Sequence, residues 1–213
     1  MQKKIILFDF DGVIVDSFDI GFLVSKKIHP VLTESTFQKL FEGNINESLR
    51  LFQEHDAQCR HDIDFFKEYL PKLAQVSTFP GMLEVIDELR KQFRLVVVSS
   101  TISSPIREYL EGHNIAGHFD DILGNDIHTS KVEKIKIVIE KYSAAAADCV
   151  FVTDTLGDIR ETEKAGIGVI AVSWGFHPHA TLKQGHPFRV VDTPQELKIA
   201  VESYFVQEPE FLK

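Results

Sequence analysis

Four short apolar runs, at 5–8, 95–98, 149–152 and 168–172, constrain this chain more than any other feature. They are rich in β-branched residues and continuous rather than alternating, the pattern of strands covered on both faces of a parallel sheet. A weaker fifth run lies at 121–123. Helical spacings separate them: Met82, Val85, Ile86 and Leu89; Val132, Ile135, Ile139 and Tyr142; Leu197, Ala200, Val201 and Tyr204. Ser104-Pro105 reads as a helix start, and Gly166 as the stop of a helix beginning near Asp158. This alternation from residue 80 onward predicts βαβ units and a doubly wound α/β sheet.

Residues 16–79 follow another rule. They contain no buried-strand run, and Phe18, Phe22, Leu40, Phe41, Leu49, Phe65, Phe66 and Leu70 sit at helix-like spacings. The expected organisation is a small helical unit at 16–79, inserted after the first strand, with Phe79-Pro80-Gly81 as the return hinge. The core is then formed by 1–15 and 80–213. A net charge of −9 argues against a nucleic-acid coat. No apolar stretch is long enough for a membrane span, and Asp9 and Asp11 interrupt the first apolar run too early for a signal peptide. The two cysteines, Cys59 and Cys149, are far apart and indicate no disulfide scaffold, so a cytoplasmic protein is expected.

The polar residues cluster by position. The first run ends in Asp9-Phe10-Asp11-Gly12, the second in Ser99-Ser100-Thr101, and the one at 149–152 in Thr153-Asp154-Thr155, with Asp158 four residues beyond Asp154. In an open parallel sheet these are the carboxyl ends of strands, where ligands bind. If the strands are neighbours, Asp9, Asp11, Asp154 and Asp158 converge. Several carboxylates in one cleft raise each other's pKa, and a hard divalent cation with oxygen ligands relieves the conflict. Lys131, between a strand end and a helical pattern, is the candidate counter-charge, with Lys134 and Lys136 close by.

Asp9-Phe10-Asp11-Gly12-Val13, Ser99, Lys131 and Asp154-Thr155-Leu156-Gly157-Asp158 resemble, in order, the four motifs of the haloacid dehalogenase superfamily. The likeness extends through Asp16-Ser17, Pro80-Gly81, Ala165-Gly166, Ser173-Trp174-Gly175-Phe176 and the late Val190-Val191-Asp192-Thr193-Pro194. The insertion resembles the helical cap of the phosphoglycolate phosphatase-like branch in position and size. The resemblance implies a Rossmann-like core and an Mg²⁺-dependent phosphatase acting on a small phosphorylated metabolite. Asp9 is then the nucleophile that forms an aspartyl-phosphate, and Asp11 the general acid and base. Ser99 and the Ser100 amide would bind the phosphoryl oxygens, and Lys131 would neutralise them. Asp9, the Asp11 carbonyl and Asp154 would hold Mg²⁺, with Asp158 ligating directly or through water. An acid at position 11 points to phosphoryl transfer rather than attack on carbon. Three positions depart from the family pattern: Thr153 stands where Gly is usual, Val13 replaces the commoner Thr, and Val132 replaces a Pro.

Two other functions are compatible with the same residues, a sugar-phosphate mutase and a silent phosphate- or partner-binding protein. Other polar residues have structural explanations. Asp16 and Ser17 suit the cap of a first insertion helix. Gly43-Asn44 suits a helix junction, although Gly43, Asn44, Asn46 and Arg50 could also reach toward a substrate. His177, His179 and His186 lie among Pro178, Gly185 and Pro187, as expected for a solvated loop.

Overall fold

The protein is described here by a computed structural model covering residues 3–206. Six parallel strands form one sheet: β1 (Ile5–Phe8), β2 (Arg94–Val98), β3 (Asp121–Leu123), β4 (Cys149–Thr153), β5 (Gly168–Val172) and β6 (Arg189–Val191). Their spatial order is β3-β2-β1-β4-β5-β6. The chain builds outward from β1 in one direction, then returns to β4 on the other side. The switch point therefore falls between β1 and β4, where Phe8 pairs with Val152.

Period-2 geometry sends alternate residues to opposite faces, and both faces are buried. Ile6, Phe8, Val97, Val152 and Ile170 pack with α5 (Met82–Leu89), α6 (Ser103–Gly112) and α10 (Pro194–Val206). Ile5, Leu7, Val98, Phe151 and Val169 pack with α7 (Lys131–Lys141) and α8 (Leu156–Ala165). Two covered faces are why these strands read as unbroken apolar runs. β6 was not anticipated as a strand. It has three residues and one neighbour, and Arg189 is exposed, so no buried run marks it. The helix expected to start at Ser104-Pro105 starts at Ser103, so Pro105 is its third residue rather than its first. α8 begins at Leu156, two residues before Asp158, and ends at Gly166, which has φ +75°.

Residues between β1 and α5 form four helices: α1 (Phe18–Ile28), α2 (Glu34–Leu40), α3 (Ile45–His55) and α4 (Phe65–Leu73). Leu32, Phe37 and Leu40 build a small aromatic-rich cluster with Phe18, Phe22 and Phe41, and Phe176 from the loop after β5 completes it. Val24, Tyr69 and Leu73 join the main core instead. The helical segment thus shares its packing with the sheet domain. Its return is tied to the chain leaving β1: Val15 bridges Thr78, and the Phe79 amide donates to the Ile14 carbonyl. Among the described residues, no helix is long and apolar enough to cross a membrane.

Candidate active site

The chain leaves β1 through a tight turn. The Asp9 amide still donates to the Val152 carbonyl at 2.9 Å, so Asp9 sits at the sheet rim directly beside β4. Its Oδ1 accepts from the Phe10 amide at 2.7 Å and its Oδ2 from Lys131 Nζ at 2.5 Å. Lys131 opens α7, and its Nζ also donates to Asp158 Oδ2 at 2.5 Å. Of the three neighbouring lysines, Lys131 alone reaches the acids. Lys134 donates to the Ser99 carbonyl, and Lys136 pairs with Glu133 at the surface. The start of α7 is anchored by Glu161, which accepts from the Lys131 amide at 3.2 Å. A carboxylate suits that helix end.

Thr153 is the unexpected member. Its hydroxyl donates to Asp158 Oδ2 at 2.7 Å, so the side chain that departs from the family pattern holds an acid in place rather than crowding it. Burial would lift the Asp158 carboxyl, but Lys131 and these hydrogen bonds bring it below the ordinary carboxylate range. Burial also works against the Lys131 charge, and Asp158 and Asp9 outweigh it, so the ammonium is held more firmly than usual. Asp9 ends on the other side of the balance. Burial raises its pKa well above the usual value, Lys131 opposes this, and the charges of Asp158 and Asp154 add to it.

Asp154 is fully buried, and burial pushes its carboxyl up to about 7 against the pull of the Phe176 amide. That amide donates to Asp154 Oδ2 at 2.7 Å, while Asp154 Oδ1 is buried and accepts no hydrogen bond among the described residues. Backbone wraps this side chain closely. A Cβ on Gly12 would lie 1.9 Å from Asp154 Oδ2, and one on Gly175 would lie 2.3 Å from it. Gly12 also has φ +74°, a second reason for glycine there. An orphaned buried carboxylate oxygen close to Asp9, in a site with one ammonium for several acids, fits a hard divalent cation. Among the described residues, no three His, Cys, Asp or Glu side chains converge as a ready ligand set. A small hard cation needs only one or two carboxylates beside its waters.

Asp11 is oriented by three hydroxyls. Ser17 donates to its Oδ1 at 2.8 Å, Thr101 donates to its Oδ2 at 2.8 Å, and Tyr69 of α4 donates to its Oδ1. Ser17 precedes α1 but makes no side-chain cap bond, so its expected capping role gives way to holding Asp11. Tyr69 had no sequence signal as a site residue, and Thr101 was marked only as part of the polar end of the second run. Tyr69 lies in α4, far along the chain, and Thr101 lies two residues past the serine that the motif marks. Burial, with Asp11 adjacent, keeps the Tyr69 phenol protonated. Ser99 lies at the end of β2, and its Oγ accepts from the Thr101 amide at 3.0 Å.

Asp9, Asp11, Ser99, Ser100, Lys131 and Asp158 line one cavity of about 220 Å³, closed on the far side by the helical segment. That segment is latched onto the core. The Gly157 amide donates to the Phe41 carbonyl, and a Cβ on Gly157 would lie 2.2 Å from the Gly43 carbonyl oxygen. Asn44 caps α3 through the Glu47 amide, as its junction position suggests, and also donates to Glu161. Asn46 lines the cavity but donates to the Thr129 carbonyl, and Arg50 turns away to pair with Glu54.

His177, expected in a solvated loop, is buried. Its Nδ1 accepts from the Leu156 amide at 2.9 Å and its Nε2 meets the Gln38 carbonyl at 2.8 Å, so the neutral ring ties α8 to α2. Burial lowers its pKa below the ordinary histidine value. A depressed pKa contributes stability that is present above the ordinary value and lost as pH falls through the lowered one. The thermal-stability advantage of wild type over His177→Asn should therefore shrink between about pH 7.5 and about pH 5. A constant advantage across that range would contradict this role.

An acid-rimmed cavity at the switch point of a doubly wound parallel sheet, roofed by helices inserted after its first strand, defines the class: an α/β protein with a ligand-sized cleft built around the aspartate that ends β1. The chain belongs to the haloacid dehalogenase-like hydrolase family, whose model matches residues 6–172. It is 27% identical to Probable phosphatase IndB of Dickeya dadantii, covering 92% of both chains. It is 24% identical to a phosphoglycolate phosphatase of Vibrio parahaemolyticus, covering 91% of this chain and 94% of the relative. Among solved structures, CbbY from Rhodobacter sphaeroides in complex with phosphate shares the fold, with a TM-score of 0.73 and 20% identity over 92% of this chain and 96% of that one.

Proposed function

We propose that this protein is a magnesium-dependent phosphatase that hydrolyses a small phosphate monoester through a phosphorylated Asp9. Residues 16–79 act as a cap over a core of residues 1–15 and 80–213. One observation carries the reading: Asp9 is gripped between the Phe10 amide and Lys131 at the mouth of β1, facing a cavity roofed by the helical segment with Asp11 beside it. Relatives of matching length carry phosphatase names, which supports phosphoryl rather than carbon chemistry.

In the first step an Asp9 oxygen attacks phosphorus and the bond to the alcohol oxygen breaks. Asp11 gives that oxygen its proton. In the second step Asp11 takes a proton from water as the water attacks the acyl-phosphate, releasing inorganic phosphate and restoring Asp9. Dividing the reaction replaces one hard step with two easier ones, and the positioned proton transfer is worth about 10²–10⁴-fold. Ser99 Oγ accepts from the Thr101 amide, which leaves its own hydrogen to donate to a phosphoryl oxygen beside the Ser100 amide. Lys131 offsets phosphoryl charge and keeps Asp9 aimed. Asp9, Asp154 and the Asp11 carbonyl would hold Mg²⁺, with Asp158 completing the acidic set. When bound, the cation supplies positive charge against the phosphoryl oxygens. The proposed setting is the cytoplasm, in keeping with the free thiols Cys59 and Cys149.

The direct test is release of inorganic phosphate from a panel of phosphorylated metabolites with Mg²⁺ present. EDTA should stop release and excess Mg²⁺ should restore it, whereas undiminished activity in EDTA would remove the cation from the scheme. Tyr69→Phe removes one of three hydroxyls on Asp11 and leaves Ser17 and Thr101. A hydrogen bond to a charged group is worth about 1.5–3 kcal/mol, so kcat should fall roughly 10- to 100-fold with little change in KM. An unchanged kcat would free Tyr69 of any part in the reaction.

A further inference from the structure

The half of the cavity supplied by the helical segment is mostly apolar, with Ser25, Asn46 and Tyr69 as its polar side chains. Phe37, Phe41, Ile45, Leu49, Phe65 and Phe66 line it. Among the described residues, the one lysine or arginine in the cavity wall is Lys131, and its ammonium is already shared between Asp9 and Asp158. α3 shows what this wall is for. Ile45, Leu49 and Phe52 form a stripe along one side of it that packs against the cluster of Leu32, Phe37 and Leu40, yet the stripe stays only half-buried. The remaining surface of Ile45 and Leu49 opens onto the cavity. Such a stripe is left partly exposed where something other than the chain covers it.

From this we propose that the alcohol portion of the substrate is a small, uncharged apolar group of about ring size, which makes the substrate an aryl or arylalkyl phosphate. The inference rests on the phosphatase reading above and specifies its substrate class. Size and charge both support it. A cavity on the order of 150 Å³ lined by apolar side chains holds one benzene ring, and the roughly 220 Å³ here has room for a phosphoryl group and little beyond one ring. A second anion, such as a carboxylate or another phosphate, would lie against phenyl rings with no cation to receive it. The amino end of α3 could favour an anion, but the Asn44 side chain already caps it by accepting from the Glu47 amide. Aromatic walls also match an aromatic guest through edge and face contacts.

The test compares kcat/KM for benzyl phosphate, 2-phosphoglycolate and glucose 6-phosphate with Mg²⁺ present. Benzyl phosphate should exceed the other two by roughly 100-fold. Phe66→Ala should raise KM for benzyl phosphate about tenfold, a clearly larger loss than it causes for 2-phosphoglycolate. Leu49→Arg should raise kcat/KM for 2-phosphoglycolate about tenfold by placing a cation in the wall. Equal or better turnover of 2-phosphoglycolate by the wild type, or parallel losses for both esters in Phe66→Ala, would overturn the apolar assignment while leaving the phosphatase reading intact. Absence of phosphate release from all three, and from a wider panel of esters, would overturn both.

Discussion

Asp9→Asn should lower phosphate release by roughly 10⁴-fold or more without lowering the melting temperature of the metal-free protein. The amide is a poor nucleophile, so the first step fails at its origin. The structural cost is small for an electrostatic reason. Burial and the charges of Asp158 and Asp154 already disfavour an ionised Asp9, so a neutral amide of the same shape relieves crowding. Lys131 keeps Asp158 as its partner. Activity and stability therefore separate in this variant. Near-normal turnover would show that another group attacks phosphorus, and a large fall in melting temperature would show that Asp9 is a structural residue first.

Lys131→Met should fail in both respects. Its side chain is 4% exposed and stands between two nearly buried carboxylates. Removing one partner of a buried ion pair leaves uncompensated charge and costs about 3–5 kcal/mol. In a chain of this size that corresponds to a drop in melting temperature on the order of 10 °C. Turnover should fall by roughly 10²–10³-fold, because phosphoryl charge loses its neutralising group. The deficit has a definite pH sign. In the wild type the lowered pKa of Asp158 gives stability above the ordinary carboxylate value and loses it on acidification. In the variant Asp9 and Asp158 lose that support, and protonating them relieves the fold. The gap in melting temperature should thus narrow as pH falls toward about 4. Lys131→Met combined with Asp158→Asn should recover part of the loss. A melting temperature within about 2 °C of wild type for the single variant would contradict the account.

The parts of this protein that were legible in its sequence are those set by short-range rules. Strands buried on both faces must be apolar without a break, so β1, β2, β4 and β5 stood out, and the acids that follow β1 and β4 marked the rim of the sheet where the cavity lies. Lys131 was legible because it starts a helix whose apolar spacing is plain. The contacts that cross the chain were not legible. Nothing near Tyr69 signals that its hydroxyl meets Asp11, and nothing near Thr153 signals that it steadies Asp158. His177 lies among prolines and glycine, which suggested a solvated loop; its burial follows from α2 and α8 closing over it, a tertiary event with no local signature. β6 was missed because an exposed edge of three residues does not need the apolar run that a central strand does.

The central claim is that phosphorus becomes bonded to Asp9. Reductive trapping tests it most directly: the enzyme is mixed with a turned-over phosphate ester and Mg²⁺, quenched with borohydride, and its peptides are analysed by mass spectrometry. An acyl-phosphate at Asp9 would be reduced, leaving homoserine at position 9 only when ester and Mg²⁺ are both present. Homoserine at Asp11, Asp154 or Asp158 instead, or efficient phosphate release with no reduced residue under conditions that accumulate the intermediate, would contradict it.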